Sequence, residues 1–523
     1  MKSAIKWLLW LFGAAIVLLG ISLVWLVTFF EPSDYRDEIA RWVAERTGYH
    51  FVIEGAVSVD FEHEPVRGFF VDIGVRDAQL TRADEIPGEQ KLHLNALDFS
   101  ADLGDLFASA RGAPLVGKGY FDVVNADLRK LLAKSEVNWN AFTPQAFRSV
   151  NATSDFWISG DTLSLTGLEV SMDETQVSGN LEIDNLSADQ TFHFDLNAPS
   201  LDLKNILQLS APGPFDGLIL LNLPAILVAQ SEVAGLLKIG TLRSGGVVMS
   251  DVVMPLRAHG GVVVSSPITA GFYGGEARID TVLRVDGALL DFRTRQQISQ
   301  CRLGELLSDL ELTGVIEARG SLVANLAFSG VDKASRIQSA RGVIEFAADQ
   351  GRIKGIDLPT LIKQLGRSSV EIADDSIGES AFTSLGNIRA TLRVEESLLI
   401  NEDLAFQAGG LEVRGRGGLA LLSEQLDYRI SLALNNHELA SVLPPPFNSG
   451  MIVLPLRISG QWHAPSLMID MPRMLQLQFQ AAMGGGSGLE TPSVDAQAAR
   501  LAKDLDAELA QALGGKQDAA AEQ

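Results

Sequence analysis

The chain has 523 residues, 46 % of them apolar but only 7 % aromatic, with a formal charge of −23 at pH 7. That is length enough for two to four domains or one elongated one, with cores built from aliphatic side chains. The acidic balance argues against nucleic acid, which calls for basic stripes, and against a chain lying flat on anionic lipid.

Trp7 to Phe30 is 24 residues without a charge. As a helix that run reaches about 36 Å, against about 30 Å for a bilayer core. Trp7 and Trp10 at one end and Trp25, Phe29 and Phe30 at the other suit the two membrane interfaces. Lys2 and Lys6 precede the run, whereas Glu31, Asp34, Asp37 and Glu38 follow it, so the N-terminus is expected in the cytoplasm and the rest outside. The run is too long for a cleaved leader, and "TFFEPSD" has no small-residue cleavage site, so an uncleaved anchor is expected. "FDGLILLNLPAILVAQ" (215–230) is apolar but short, and Asn222 and Pro224 interrupt it.

A helix is expected over roughly 35–47, with Ile39, Trp42 and Val43 on one side and Gly48 ending it. From about residue 50 to about 470, apolar and polar residues alternate. Phe192, Phe194 and Leu196 fall on one face, opposite His193, Asp195 and Asn197. Tyr428, Ile430, Leu432 and Leu434 do the same, as do Leu411 and Val413 against Glu412 and Arg414. This is the pattern of strands with one apolar face. Turn signals at 178–180 ("SGN"), 285–287 ("VDG") and "FYGGE" favour an antiparallel meander over a parallel α/β sheet.

Short helices punctuate the strands. "ADLRKLL" (126–132), "LDLKNIL" (201–207) and "IDLPTLI" (356–362) share an Asp followed by apolar residues at i, i+3 and i+4. "CRLGELL" (301–307) and "HELASVL" (437–443) put Arg302 and Glu438 in the Asp position. Asp is a natural helix cap, and the spacing gathers the apolar residues on one side, to pack on the sheet. "GGGSG" (484–488) reads as a flexible joint. Beyond it Leu501, Leu505, Leu509 and Leu513 recur every four residues; a weakly helical tail without fixed contacts is expected there over a docking helix.

Chemical motifs are sparse. "GAPLVGKG" (112–119) approaches a phosphate-binding loop, but Gly119 stands where a magnesium-holding hydroxyl belongs. "GRGGLA" (415–420) fits a dinucleotide fingerprint only by its glycines and continues as a strand. The seven histidines are dispersed, and the His63 cluster "FEHEP" carries a proline that opposes a metal-binding helix. The single cysteine, Cys301, excludes an intrachain disulfide and reads as a small buried hydrophobe. No enzyme, metal or cofactor is therefore expected. An aliphatic sheet face must still be covered: it can close as a sandwich, or curve into a trough whose lining accepts acyl chains.

Several segments resemble the AsmA family of bacterial envelope proteins. "YRDEIARWVAERTGYHFVIEGAVSVDFEHEP" is similar to that family's leading helix and strand pair, and "SEVNWNAF" (135–142) to its "NW" marker. "ITAGFYGGEARID" (268–280), "ARGVIEFAADQGRIKGIDLPTLI" (340–362) and "PLRISGQWHAPSLMID" (455–470) resemble later family segments, in order. The resemblance implies a mainly β chain: one N-terminal transmembrane helix, then an elongated, curved antiparallel β-groove with short amphipathic helices. It divides the chain into a cytoplasmic tip (1–6), the anchor (7–30), a groove start (31–150), a middle groove (151–330), a C-terminal AsmA-like region (331–480) and the joint and tail (481–523).

The function implied is non-catalytic. An inner-membrane-anchored periplasmic protein would bind phospholipid and conduct it toward the outer membrane, with an outer-membrane or envelope protein as a candidate partner. The other reading is an assembly or structural factor with a closed sandwich core. On the trough reading, Phe192, Phe194, Leu196, Leu411, Val413, Tyr428, Ile430 and Leu432 are the lipid-contact candidates. About twenty strands at roughly 4.8 Å each would give a groove of about 100 Å.

Overall fold

The computed structural model describes Arg41 and residues 49–64, 68–82, 92–109, 111–131, 142–186, 190–206, 232–244, 246–309, 316–357, 360, 377–434, 452–462, 464–482 and 496–514. The expected anchor, with Trp7, Trp10, Trp25, Phe29 and Phe30, lies outside these residues. So do nearly all of the leading helix, the 215–230 segment, "HELASVL" and the glycine joint. Among the described residues no helix is long and apolar enough to cross a membrane. The described elements are mainly β, in two units, one of residues 1–137 with 147–174 and one of 138–146 with 175–523.

The first unit holds β1 (Tyr49–Ile53), β2 (Val57–Glu64), β3 (Gly68–Arg82), β4 (Leu92–Asp102), β5 (Val116–Ala126), β6 (Val150–Ser159) and β7 (Thr162–Met172). Helix α1 (Leu103–Ser109) follows β4, and α2 (Leu128–Leu131) follows β5. β1 and β2 lie end to end along β3, and β3 through β7 form an antiparallel meander. Residues 116–119 of the near-phosphate-loop motif belong to β5, so that segment is sheet and cradles no phosphate.

The second unit begins with β8 (Thr175–Asp184), β9 (Thr191–Asp202), α3 (Leu203–Ile206), β10 (Glu232–Ser244), β11 (Val247–His259), β12 (Val262–Phe272), β13 (Gly275–Asp286), β14 (Leu289–Arg302) and α4 (Leu303–Asp309). It continues through β15 (Ile316–Glu317), β16 (Arg319–Gly330), α5 (Lys333–Ser339), β17 (Arg341–Ala348), β18 (Gly351–Ile356), β19 (Ile377–Leu385), β20 (Ile388–Glu395), β21 (Leu398–Ala408), β22 (Leu411–Ala420) and β23 (Gln425–Leu434). β24 (Ile452–Gln461), β25 (Ser466–Ile469), α6 (Met471–Ala482) and α7 (Ala496–Gly514) complete it. β15 with β16, β17 with β18, and β19 with β20 lie end to end, so three long broken strands replace six short ones in the pairing.

Among the described strand pairs all are antiparallel except β9 with β10, where Phe194 lies beside Gly235 in parallel register. The expected meander is therefore interrupted once, and residues 203–231 make the crossover that parallel neighbours require. The expected turn at 178–180 is also displaced: these residues sit inside β8, paired with Asn197, Leu196 and Asp195. Gly179 is there for close approach, since a Cβ on it would meet the Asp195 carbonyl oxygen at 2.1 Å. The "FYGGE" turn stands as expected. Tyr273 (φ 47°) and Gly274 (φ 73°) supply the two positive φ values that a tight hairpin needs.

Two of the three expected aspartate caps are seen. Asp202 Oδ1 accepts from the Lys204 N–H at 3.0 Å before α3, and Asp357 Oδ1 from the Thr360 N–H at 3.1 Å. The same device at Asp102 starts α1, a copy the motif reading passed over. At α4, Arg302 instead pairs with Glu305 of the first turn. Leu203, Leu303 and Ile337 are the buried residues of α3, α4 and α5, facing the sheet as the spacing requires.

The tail departs from its expectation. α7 is a 19-residue helix packed on β13, β14, β16, β17 and β20. Leu505 and Leu509 are buried, with Ala498. The four-residue leucine repeat is therefore a docking stripe, and charges reinforce it. Arg341 donates to Glu508 at 2.7 and 2.9 Å, Arg293 at 3.4 Å. Asp506 Oδ1 lies 3.2 Å from an Arg295 nitrogen, an ion pair without hydrogen-bond alignment.

Candidate functional site

Because side chains alternate along a strand, cross-strand register identifies which residues share a face. In the second unit one apolar face can be followed strand by strand. Leu181 pairs with Phe194, Phe194 with Gly235, and Gly235 with Leu256. One step along, Ala258 pairs with Val263, Val263 with Leu283, Leu283 with Phe292, and Phe292 with Phe328. Ala324 then leads to Ile344 and Ile344 to Leu392, while Val394 pairs with Leu399 and Leu399 with Leu419. Finally Val413 pairs with Leu432, and Ile430 with Leu456.

All eight residues expected to line an apolar surface fall on this face. Phe192, Phe194 and Leu196 of β9 are half-buried, whereas His193, Asp195 and Asn197 between them are exposed. Leu411 and Val413 of β22 are buried, and Tyr428, Ile430 and Leu432 of β23 half-buried. The register joins the two groups through about ten intervening strands, which the sequence pattern could not do. It also adds members the pattern missed, including Leu256, Leu283, Phe292, Phe328, Ile344 and Leu399. For Leu256 on β11 and Leu399 on β21, bulges in those strands break the period.

The face has low relief. A Cβ on Gly235 would meet the Phe194 ring at 2.5 Å, and Cβ atoms on Gly415 and Gly417 would meet Tyr428 at 2.7 and 2.8 Å for their closest ring or hydroxyl atoms. Aromatic rings therefore lie flat over cross-strand glycines instead of standing off the sheet. The first unit repeats the device: Gly119 pairs with Phe156, which stacks with Phe99 at 6.4 Å between centroids. A Cβ on Gly119 would meet the Phe156 ring at 2.5 Å.

Polar groups on the face are satisfied internally. Ser265 donates to the Pro255 carbonyl at 2.6 Å, and the Thr281 and Thr294 hydroxyls are 3.1 Å apart. Asn401, 5 % exposed, donates to the Thr391 carbonyl and to Asp403, and accepts from the Tyr428 hydroxyl. Burial, and then the nearby Asp403 charge, push the Tyr428 hydroxyl above the usual phenol range. It serves as a neutral donor.

The reverse face is charged. Arg457 pairs with Asp427 at 2.8 and 3.0 Å, Arg414 with Glu412, and Lys238 with Asp195. A polar concavity there is lined by Glu402, Arg416, Asp427 and Arg429. Among the described residues, extensive strand contacts are confined to hydrogen-bonded neighbours, and Ile337 of α5 packs on the apolar face with Ala324, Ile344, Val394 and Leu419. Nor do three or more His, Cys, Asp or Glu side chains gather as metal ligands among them. Cys301 is buried, and burial raises its thiol pKa.

What this arrangement can do is hold apolar chains along one side of an open, mostly antiparallel sheet whose other side is charged and, over β13 to β20, carries α7. No curated protein and no solved structure matches the chain. Residues 222–386 match the family model described as the AsmA family, a stretch that carries β10 to β19 and much of the apolar face. That match covers about a third of the chain, and over it the chain is similar to the AsmA family.

Proposed function

We propose that residues 7–30 anchor the protein in the bacterial inner membrane, and that the bulk of the chain, in the periplasm, carries phospholipid toward the outer membrane. The carrying surface is the apolar face, curved into a groove. Acyl chains lie against it and headgroups stay in water. The observation that carries this reading is the register: apolar residues from β8 to β24 share one face, and the AsmA-family match with an open sheet fits a lipid-transport role.

A hydrocarbon chain makes no directional bonds, so affinity follows buried apolar area, at about 25 cal/mol per Å². Rings lying flat over glycines leave few obstacles to sliding. The transfer needs no covalent step and no cofactor.

The test is photo-crosslinking of the full chain in cells, with a benzophenone side chain at position 194 or 430 and, as controls, at neighbouring positions 193 or 429. Labelled phospholipid should be recovered from 194 and 430 and not from the controls. Equal labelling of both faces, or none, would refute the assignment.

A further inference from the structure

The apolar face ends at β25, and its last residues are among its most exposed. Leu467 and Ile469 pair with Ile458 and Leu456, so they extend the face, yet they are 65 and 48 % exposed. Helix α6 follows at once, started by Asp470, whose carboxylate accepts from the Arg473 N–H at 3.1 Å. Met471, Leu475 and Phe479 recur every four residues along one side of it and are 50, 61 and 71 % exposed. Met474 and Leu477, on another side, are half-buried. A chain with 65 acidic residues places none in this helix, whose one charge is Arg473 and whose polar positions are glutamines.

We propose that β25 and α6 form a bilayer-docking edge. Met471, Leu475 and Phe479 enter the boundary between headgroups and acyl chains, and the apolar face opens into the membrane through Leu467 and Ile469. Charge selects this occupant. A net −23 repels the rest of the chain from anionic headgroups, whereas α6 presents an apolar stripe, neutral amides and a single cation. Docking stands on the exposed patch alone; that the face opens into the bilayer rests on the lipid-carrying reading.

The full chain is reconstituted in nanodiscs with an environment-sensitive NBD label at Phe479→Cys, in a Cys301→Ser background. Vesicles of phosphatidylethanolamine and phosphatidylglycerol are then added, with and without nitroxide-labelled lipid. Docking predicts a blue-shifted emission on vesicle addition, quenched when the added vesicles carry nitroxide. Leu475→Asp should weaken vesicle binding roughly tenfold or more. Phe194→Asp should leave it unchanged, which separates docking from lipid carriage. A label indifferent to vesicles overturns the proposal. So does a blue shift that needs only higher protein concentration, which would give the patch to a second copy of the chain. Emission at position 479 responding to vesicles while crosslinking at 194 fails would keep the docking edge and remove the carrier.

Discussion

Arg341 on β17 grips Glu508 on α7 through two guanidinium nitrogens, at 2.9 and 2.7 Å, across 167 residues of sequence. Arg293 approaches the same carboxylate from β14. The Arg341 hydrogen bond, with further help from Arg293, holds the Glu508 carboxyl below the usual range despite some desolvation. A carboxyl depressed by folding stabilises the docked helix fully above its unfolded pKa, near 4.3, and the contribution fades as pH falls through the folded value. With Glu508 about one-third exposed, the pair is worth about 1 kcal/mol or less. Hydrogen-exchange protection of 496–514 should therefore fall between pH 6 and pH 3.5, and Glu508→Gln should lower it at pH 6. Equal protection of variant and parent would show that the leucine stripe alone holds the helix.

A charge placed on the apolar face should stop lipid binding before it unfolds the chain. Phe194→Asp and Ile430→Asp alter half-buried positions on strands with a solvated reverse side, where an ionised carboxylate can keep part of its hydration. Lipid co-purified with either variant, counted by mass spectrometry, should drop severalfold, with melting near that of the parent. Loss of cooperative melting in both would mean a dry, closed core and would favour the structural-factor reading.

Tyr428→Phe should cost about 1–2 kcal/mol, because it leaves the Asn401 carbonyl oxygen buried without its donor. The denaturant midpoint measures this. An unchanged midpoint would mean that water replaces the hydroxyl.

Gly235→Val tests the flat rings. Its side chain would meet the Phe194 ring and carbonyl near 2.5 Å, so the ring must lift or the strands part, at about 1–3 kcal/mol. A variant as stable as the parent would show that Phe194 rotates freely off the sheet.

The strands were legible because alternation survives in β9, β22 and β23, the stretches that named the lining residues. It fails in β11, β12 and β21, where bulges shift the period, and those strands were joined to the face only by their partners. The aspartate caps were legible because they act within three residues. Docking of α7 was not: its binding charges lie on β14 and β17, far away in sequence. The parallel β9–β10 pair escaped for the same reason, since no local signal distinguishes a hairpin partner from a crossover partner.

Nearest-neighbour pairing also bears on how such a chain can change length. In the second unit each strand is supported chiefly by the strands beside it. Stability in such an array is close to a sum of local terms. A hairpin inserted between β11 and β12, carrying the same alternation, would lengthen the apolar face by about 10 Å and leave the α7 dock on β13 and β14 intact. Such a sheet can thus grow in length by duplication of hairpins, each bringing its own share of the apolar face, with no single central core to redesign.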